Sequence, residues 1–155
     1  MLKWLWLSAL VIMLDQATKR LADGKLQLYE TVELLPFFQF TYVRNTGASF
    51  SFLAQAGGWQ RWLFAGIAIA ASVAILFWLK QLSKERRWEA AGWALVLGGA
   101  LGNLIDRIAY GYVIDFLDAF YRHWHFPAFN VADSAITVGV GVLLVDALIT
   151  SRQTR

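Results

Sequence analysis

Two aspartates stand close to the ends of the last two apolar stretches of the chain: Asp115 in Val113-Ile114-Asp115-Phe116, and Asp133 in Asn130-Val131-Ala132-Asp133-Ser134. The segment between them must return to the face it left, so both carboxylates lie at a similar depth. Two carboxyls a few ångströms apart cannot both ionise cheaply, and one proton is shared between them. The ionised member can take a proton from water while the protonated member gives one to a departing amine. That is the chemistry of peptide hydrolysis without metal, serine or cysteine. A second reading of Asp133 stays open. Asn130 with an acid three residues on has the form of a capping box, and an acid suits a helix N-terminus.

Other ionisable residues lie in or beside apolar runs, where each costs roughly 2.5–3.5 kcal/mol on insertion scales and needs a reason. Asp15 and Lys19 are one helical turn apart and share a face. They form either an ion pair holding their span to its neighbours or a group with a direct role. Asn103 and Arg107 share a face in the same way, while Asp106 points away from Arg107. Arg107 is thus a donor into a site, with Asn103 beside it; the alternatives are a snorkelling arginine and an asparagine that joins helices. Gly98 and Gly102 are spaced for close helix approach. Asp146 falls about 20 Å beyond Asp133 along a helix and reads as a solvated end residue. His123 and His125 sit in an aromatic stretch without His-Glu-x-x-His spacing, and read as interfacial polar residues.

These residues are carried by four apolar runs, at about 2–21, 59–79, 88–108 and 131–150. Each is near the roughly 20 residues that cross a hydrocarbon core. A cleaved signal peptide is the other reading of the first run, but Asp15 interrupts its end and no small-x-small site precedes Thr18. The composition agrees with a membrane protein. In 155 residues, 58% are hydrophobic and 16% charged, against about half and a quarter in soluble domains. Seven of the tryptophans (Trp4, Trp6, Trp59, Trp62, Trp78, Trp88 and Trp93) lie near the ends of apolar runs, where headgroups begin. The net charge of +3 does not mark a nucleic-acid binder, because the basic residues form short clusters between runs. There is no cysteine, which excludes a disulfide framework, a thiol nucleophile and a zinc-thiolate site.

Lys80, Lys84, Arg86 and Arg87 crowd the link between the second and third runs, and Arg152 and Arg155 follow the fourth. Positive loops stay in the cytoplasm. Both termini are then inside, and the loops at about 22–58 and 109–130 face outward. In the first outer loop, Tyr29–Leu34 and Phe38–Val43 alternate partly and are rich in β-formers, with Leu35-Pro36 between them and Asn45-Thr46-Gly47 as a turn. They predict a small sheet on the outer surface. In the second, Phe116, Leu117, Phe120, Tyr121 and Trp124 are spaced for an amphipathic segment lying in the interface. The expected fold is an all-α membrane protein: one domain over 1–155, four transmembrane helices, a small outer sheet and an amphipathic outer loop.

Five motifs, in order, resemble those of the lipoprotein signal peptidases (signal peptidase II): Asp15-Gln-Ala-Thr-Lys19; Arg44-Asn45-Thr-Gly47-Ala48-Ser-Phe; Gly102-Asn103-Leu-Ile-Asp106-Arg107; Val113-Ile-Asp115-Phe; and Phe129-Asn130-Val-Ala132-Asp133-Ser134. The resemblance implies an aspartic endopeptidase of the bacterial inner membrane that needs no cofactor or metal. Its active site faces the periplasm, and it cleaves prolipoproteins on the N-terminal side of a cysteine already carrying diacylglycerol. It implies Asp115 and Asp133 as the catalytic pair. Asn45, Gly47, Ala48, Asn103 and Arg107 line or shape the substrate site, and Asp15, Lys19, Asn130, Ala132 and Ser134 support it. The implied partners are prolipoproteins, membrane lipids and the cyclic peptide antibiotic globomycin. Three other functions are weighed: a proton or ion transporter, a serine–lysine protease using Ser134 or Ser49 with Lys19, and a non-catalytic assembly protein. The acids cluster at one face rather than forming a relay across, and the third function leaves the five ordered motifs unexplained.

Overall fold

The computed structural model describes residues 1–47 and 57–153 of the chain. The expected site residue Ala48 and Ser49 of the serine–lysine alternative lie outside the described residues, as do Arg155 and the side chain of Arg152. Four α-helices are described: α1 (Leu5–Lys25, after a 3-10 turn at Leu2–Trp4), α2 (Trp59–Gln81), α3 (Arg87–Ala109) and α4 (Val131–Gln153). Four strands, β1 (Thr31–Leu35), β2 (Phe38–Asn45), β3 (Val113–Tyr121) and β4 (Trp124–His125), form an antiparallel sheet in that order.

Helix α3 packs against each of the other three. Small residues permit the close approach, as the spacing of Gly98 and Gly102 predicts. A Cβ on Gly98 would stand 2.9 Å from the carbonyl oxygen of Ser8 in α1, and one on Gly102 would stand 2.7 Å from a carboxylate oxygen of Asp15. On the α4 side, a Cβ on Gly99 would run into the carbonyl of Ala132. Ser8 adds a buried hydrogen bond from its hydroxyl to Ala94 O at 2.7 Å.

Helices α2 and α4 are long and apolar enough to cross a membrane. Large apolar side chains such as Ile67, Val73, Phe77, Val138 and Leu144 stand exposed along them, more than water tolerates on a monomer. Helices α1 and α3 carry more polar residues, and the reason is visible in the packing. Asp15, Lys19, Asn103 and Asp106 point into the bundle and are buried.

The sheet differs from expectation. The stretch containing Phe116, Leu117 and Phe120, expected as an amphipathic segment, is strand β3, an inner strand paired with β2 and β4. Its first four residues are all buried, because Ile114 and Phe116 pack with Ala22 of α1 while Val113 and Asp115 face the cavity lined by α2, α3 and α4. A strand covered on both faces loses the alternation that identifies strands. Tyr42 ties the sheet to α1 by donating its hydroxyl to Asp23. Asp146 is also corrected. It is not simply solvated but accepts from Arg86 at 2.9 Å, and Arg86 bridges to Glu89 at 2.8 Å.

Candidate active site

Lys19 lies at the centre of a buried polar cluster. An ammonium has three protons, and each is used: Asp15 Oδ2 at 2.8 Å, Asp106 Oδ2 at 2.9 Å and Asn103 Oδ1 at 2.9 Å. The ion pair expected between Asp15 and Lys19 is therefore present, with Asp106 as a third member. Asp15 turns its other oxygen to the backbone N–H of Ala132 at 2.9 Å, at the start of α4. Asp106 accepts from Gln16 Nε2 at 2.8 Å and from the backbone N–H of Ile114 at 3.1 Å, at the start of β3. The cluster thus fixes the two segments that carry Asp115 and Asp133.

Two asparagines extend it to those aspartates. Asn103, with its oxygen facing Lys19, donates its amide N–H to Asp133 Oδ1 at 2.8 Å. Asn130 donates to Asp115 Oδ1 at 2.7 Å and to Asn103 Oδ1 at 3.1 Å. Its own oxygen accepts from the backbone N–H of Asp133 at 2.9 Å, and its backbone N–H donates to Asp133 Oδ2 at 3.2 Å. That reciprocal pair is the capping box anticipated from sequence. Capping and facing a site are compatible, since Asp133 uses one oxygen for each.

Asp115 is placed by the sheet. Val43 pairs with Asp115 and Asn45 with Val113, so Asn45 is a diagonal neighbour of Asp115 on one face. It donates to Asp115 Oδ2 at 3.0 Å. Asn45 Oδ1 in turn accepts from the N–H of Gly47 at 3.0 Å, an Asx turn. Burial, and after it the negative charge of Asp133, push the Asp115 carboxyl up to about 7, as expected when a like charge shares a desolvated site.

Asp115, Asp133, Asn45, Asn103 and Arg107 all line one cavity of about 260 Å³, walled on its far side by Phe64 of α2. Arg107 stacks over Phe64 at 5.3 Å from the ring centroid and donates to Gly47 O at 3.3 Å and Asn103 O at 3.4 Å. It is a donor at the cavity wall and not a snorkelling side chain.

Ser134 donates its hydroxyl back to Asn130 O at 2.9 Å. Lys19 Nζ is bonded to Asp15, Asp106 and Asn103 and not to Ser134, so a Ser134–Lys19 dyad does not form. His125 is away from this cavity, with Nδ1 3.0 Å from Asp118.

Three participants had no role assigned from the sequence. Asp106 was visible as a buried acid within the third motif. Gln16 lies within the first motif, but spacing assigns it no partner. The buried Asp118, which accepts from Gln39 at 2.6 Å and Thr41 at 3.1 Å, lay in a stretch read as interfacial.

Comparison with known proteins identifies the family. The family model described as signal peptidase (SPase) II matches residues 7–149. A lipoprotein signal peptidase of Pseudomonas fluorescens is 56% identical over 147 residues, covering 94% of this chain and 86% of that one. One of Alteromonas mediterranea is 52% identical over 145 residues, covering 94% and 80%. Among solved structures, a bacterial membrane enzyme determined at 2.3 Å superposes with a TM-score of 0.89 at 28% identity, covering 99% of this chain and 92% of that one. A fold shared along almost the whole chain, and a family match spanning every helix and strand that positions the aspartates, lead to one conclusion: the chain belongs to the signal peptidase II family of membrane peptidases.

Proposed function

We propose that this peptidase removes signal peptides from prolipoproteins by hydrolysing the bond on the N-terminal side of a diacylglyceryl-modified cysteine, with Asp115 and Asp133 as its catalytic pair. The observation that carries the reading is that both carboxyls line one cavity, each held by asparagine amides, with Asp115 pushed up to about 7.

In the reactive state the pair carries one proton, held on Asp115, and Asp133 acts as the base. Asp133 takes a proton from a water molecule as the water oxygen attacks the scissile carbonyl carbon. The carbon–nitrogen bond then breaks, and the departing nitrogen takes the proton of Asp115. The new carboxyl leaves with the signal peptide and the new amine with the lipoprotein. The proton on Asp133 then passes within the pair and restores the resting state. Asn45, Asn103 and Asn130 keep the carboxyl planes in place. Arg107 and the Asn45–Gly47 turn present polar groups to the peptide, and Ala48 helps to shape the substrate site. Lys19, Asp15 and Ala132 act as positioning residues, and Ser134 completes the first turn of α4. The cyclic peptide globomycin would compete for the same cavity.

The chain forms a single domain over 1–155. Four helices cross the bacterial inner membrane with both termini in the cytoplasm, and the sheet and aspartates lie at the periplasmic interface. Water reaches the carboxyls there while the acyl chains of the substrate stay in lipid. The polar cluster within α1 and α3 supports their place as spans, because its charges are matched inside the bundle.

The test is a gel-shift cleavage assay with a diacylglyceryl-modified prolipoprotein. Wild type cleaves it; Asp115→Asn and Asp133→Asn each lose roughly 10²–10⁴-fold or more in rate. Substantial cleavage by either variant would remove the proposed pair.

A further inference from the structure

Asp133 borders a second cavity besides the one it shares with Asp115. This cavity, about 380 Å³, lies along one face of α4, with Ser134, Thr137 and Val138 as its floor and Phe126, Pro127 and Phe129 as its wall. The two cavities have only Ala128 and Asp133 in common. Their chemistry differs. The first presents the amides of Asn45 and Asn103 and the guanidinium of Arg107. In the second, the polar side chains other than Asp133 are satisfied by the helix itself: Ser134 Oγ donates to Asn130 O at 2.9 Å, and Thr137 Oγ1 donates to Asp133 O at 2.9 Å. Val138, 56% exposed, and Phe126, 43% exposed, open the groove sideways from a helix apolar enough to lie in a bilayer.

We infer that this α4 groove seats the acyl chains of the substrate's diacylglyceryl cysteine, while the peptide occupies the Arg107 cavity. The assignment rests on the function proposed above. An occupant of the groove must be apolar, must lie at Asp133, and must enter from the membrane side. The lipid on the residue next to the scissile bond meets all three requirements at once. Acyl chains leaving bulk lipid for a protein groove gain little hydrophobic energy, because both environments are apolar. The groove therefore acts through position: it holds the modified cysteine so that its peptide bond stands over the carboxyl pair.

The test uses the full chain in nanodiscs. A prolipoprotein carrying a diazirine in its acyl chains is photolysed on the cleavage-deficient Asp115→Asn variant, and the adducts are mapped. Adducts within 126–138 are expected. Adducts instead in the groove between α1 and the sheet near Leu21 and Phe40, farther along α4 at Val142 and Val145, or between α2 and α3 at Ala74 and Trp93 would overturn the inference. So would labelling of 126–138 by diazirine phospholipid that saturating substrate does not displace, since the groove would then hold bulk lipid.

A kinetic arm uses Val138→Trp, which fills the groove, with Leu21→Trp as its counterpart in the groove between α1 and the sheet. Val138→Trp should lower kcat/KM for a dipalmitoyl substrate roughly tenfold or more, yet leave a diacetyl substrate within about twofold, as for a steric mismatch in an apolar pocket. Leu21→Trp should treat the two substrates alike. An equal loss on both substrates, or no loss on either, would overturn the groove assignment while wild-type cleavage and the Asp115→Asn defect leave the proposed function standing. Full cleavage by Asp115→Asn would remove both.

Discussion

In the proposed mechanism Asp115 is the proton donor; it sits on β3, buried, under the negative charge of Asp133. An ordinary aspartate titrates near 3.9, and this one is pushed up to about 7. As pH rises through 7, Asp115 loses the proton that the departing amine requires, and kcat/KM falls. At low pH the second carboxyl is protonated, the general base is lost, and a bell-shaped profile results. Stability follows the same shift. Below about pH 4 both folded and unfolded chains hold the Asp115 proton. Between 4 and 7 the unfolded chain releases it while the folded chain keeps it, so the fold weakens as pH rises, and the cost is fully present above 7. Asparagine cannot ionise. Thermal unfolding in detergent at pH 5 and pH 8 should therefore show a drop in the wild-type midpoint that shrinks in Asp115→Asn. An unchanged difference in the variant would remove Asp115 as its source. Lys19, also buried, acts through its contacts: Asp15, Asp106 and Asn103 hold it, and it thereby orients the Asn103 side chain.

At the scale of elements, the aspartates are held in register by the fit of α3 against α1 and α4. Gly99 is the tightest point, where an added Cβ would run into the Ala132 carbonyl, a backbone atom that cannot rotate away. Gly99→Ala should push the first turn of α4 outward, moving Asp133 relative to Asp115. Overpacking of this kind typically costs about 1–3 kcal/mol, and misplacement of reacting groups costs rate as well. The variant should unfold at lower temperature and cleave more slowly, whereas Gly141→Ala, at a position with open space around it, should change neither. Matching behaviour of the two variants would mean the α3–α4 contact does not set the site. The four apolar runs, the β1–β2 hairpin, the Asp15–Lys19 pair and the Asn130–Asp133 cap were legible because each rests on local spacing. What was not legible required partners distant in sequence. The apolar side chains of β3 recur at near-helical spacing and are buried on two faces, so periodicity suggested an amphipathic segment. Asp106 was seen as an acid facing away from Arg107, but only the packing of α1 on α3 shows that it faces Lys19. Asp118 needed the β2–β3 register to bring Gln39 and Thr41 to it.

The whole molecule is polarised. At one end the N-terminal ammonium of Met1 donates to Leu79 O at 2.9 Å, and Arg86 joins the α2–α3 link to Asp146 far along α4. Lys80, Lys84 and Arg87 belong to the same end. At the other end lie the sheet, Arg107 and the aspartate cavity. The positive-inside rule assigns the basic end to the cytoplasm, and the proposed topology then puts the carboxyl pair at the opposite, watery face. The absence of cysteine in the chain makes this orientation directly measurable, because any introduced thiol is the only one. Ser83→Cys, exposed in the α2–α3 link, and Glu33→Cys, exposed on strand β1, mark the two ends. A membrane-impermeant maleimide should label the Glu33→Cys protein in spheroplasts and should label the Ser83→Cys protein only after the membrane is permeabilised. Both variants lie outside the polar cluster and should keep wild-type cleavage, so labelling can be read on active enzyme. Labelling of Ser83→Cys in sealed spheroplasts would invert the topology, and it would put the aspartate pair on the side from which an exported prolipoprotein has already departed.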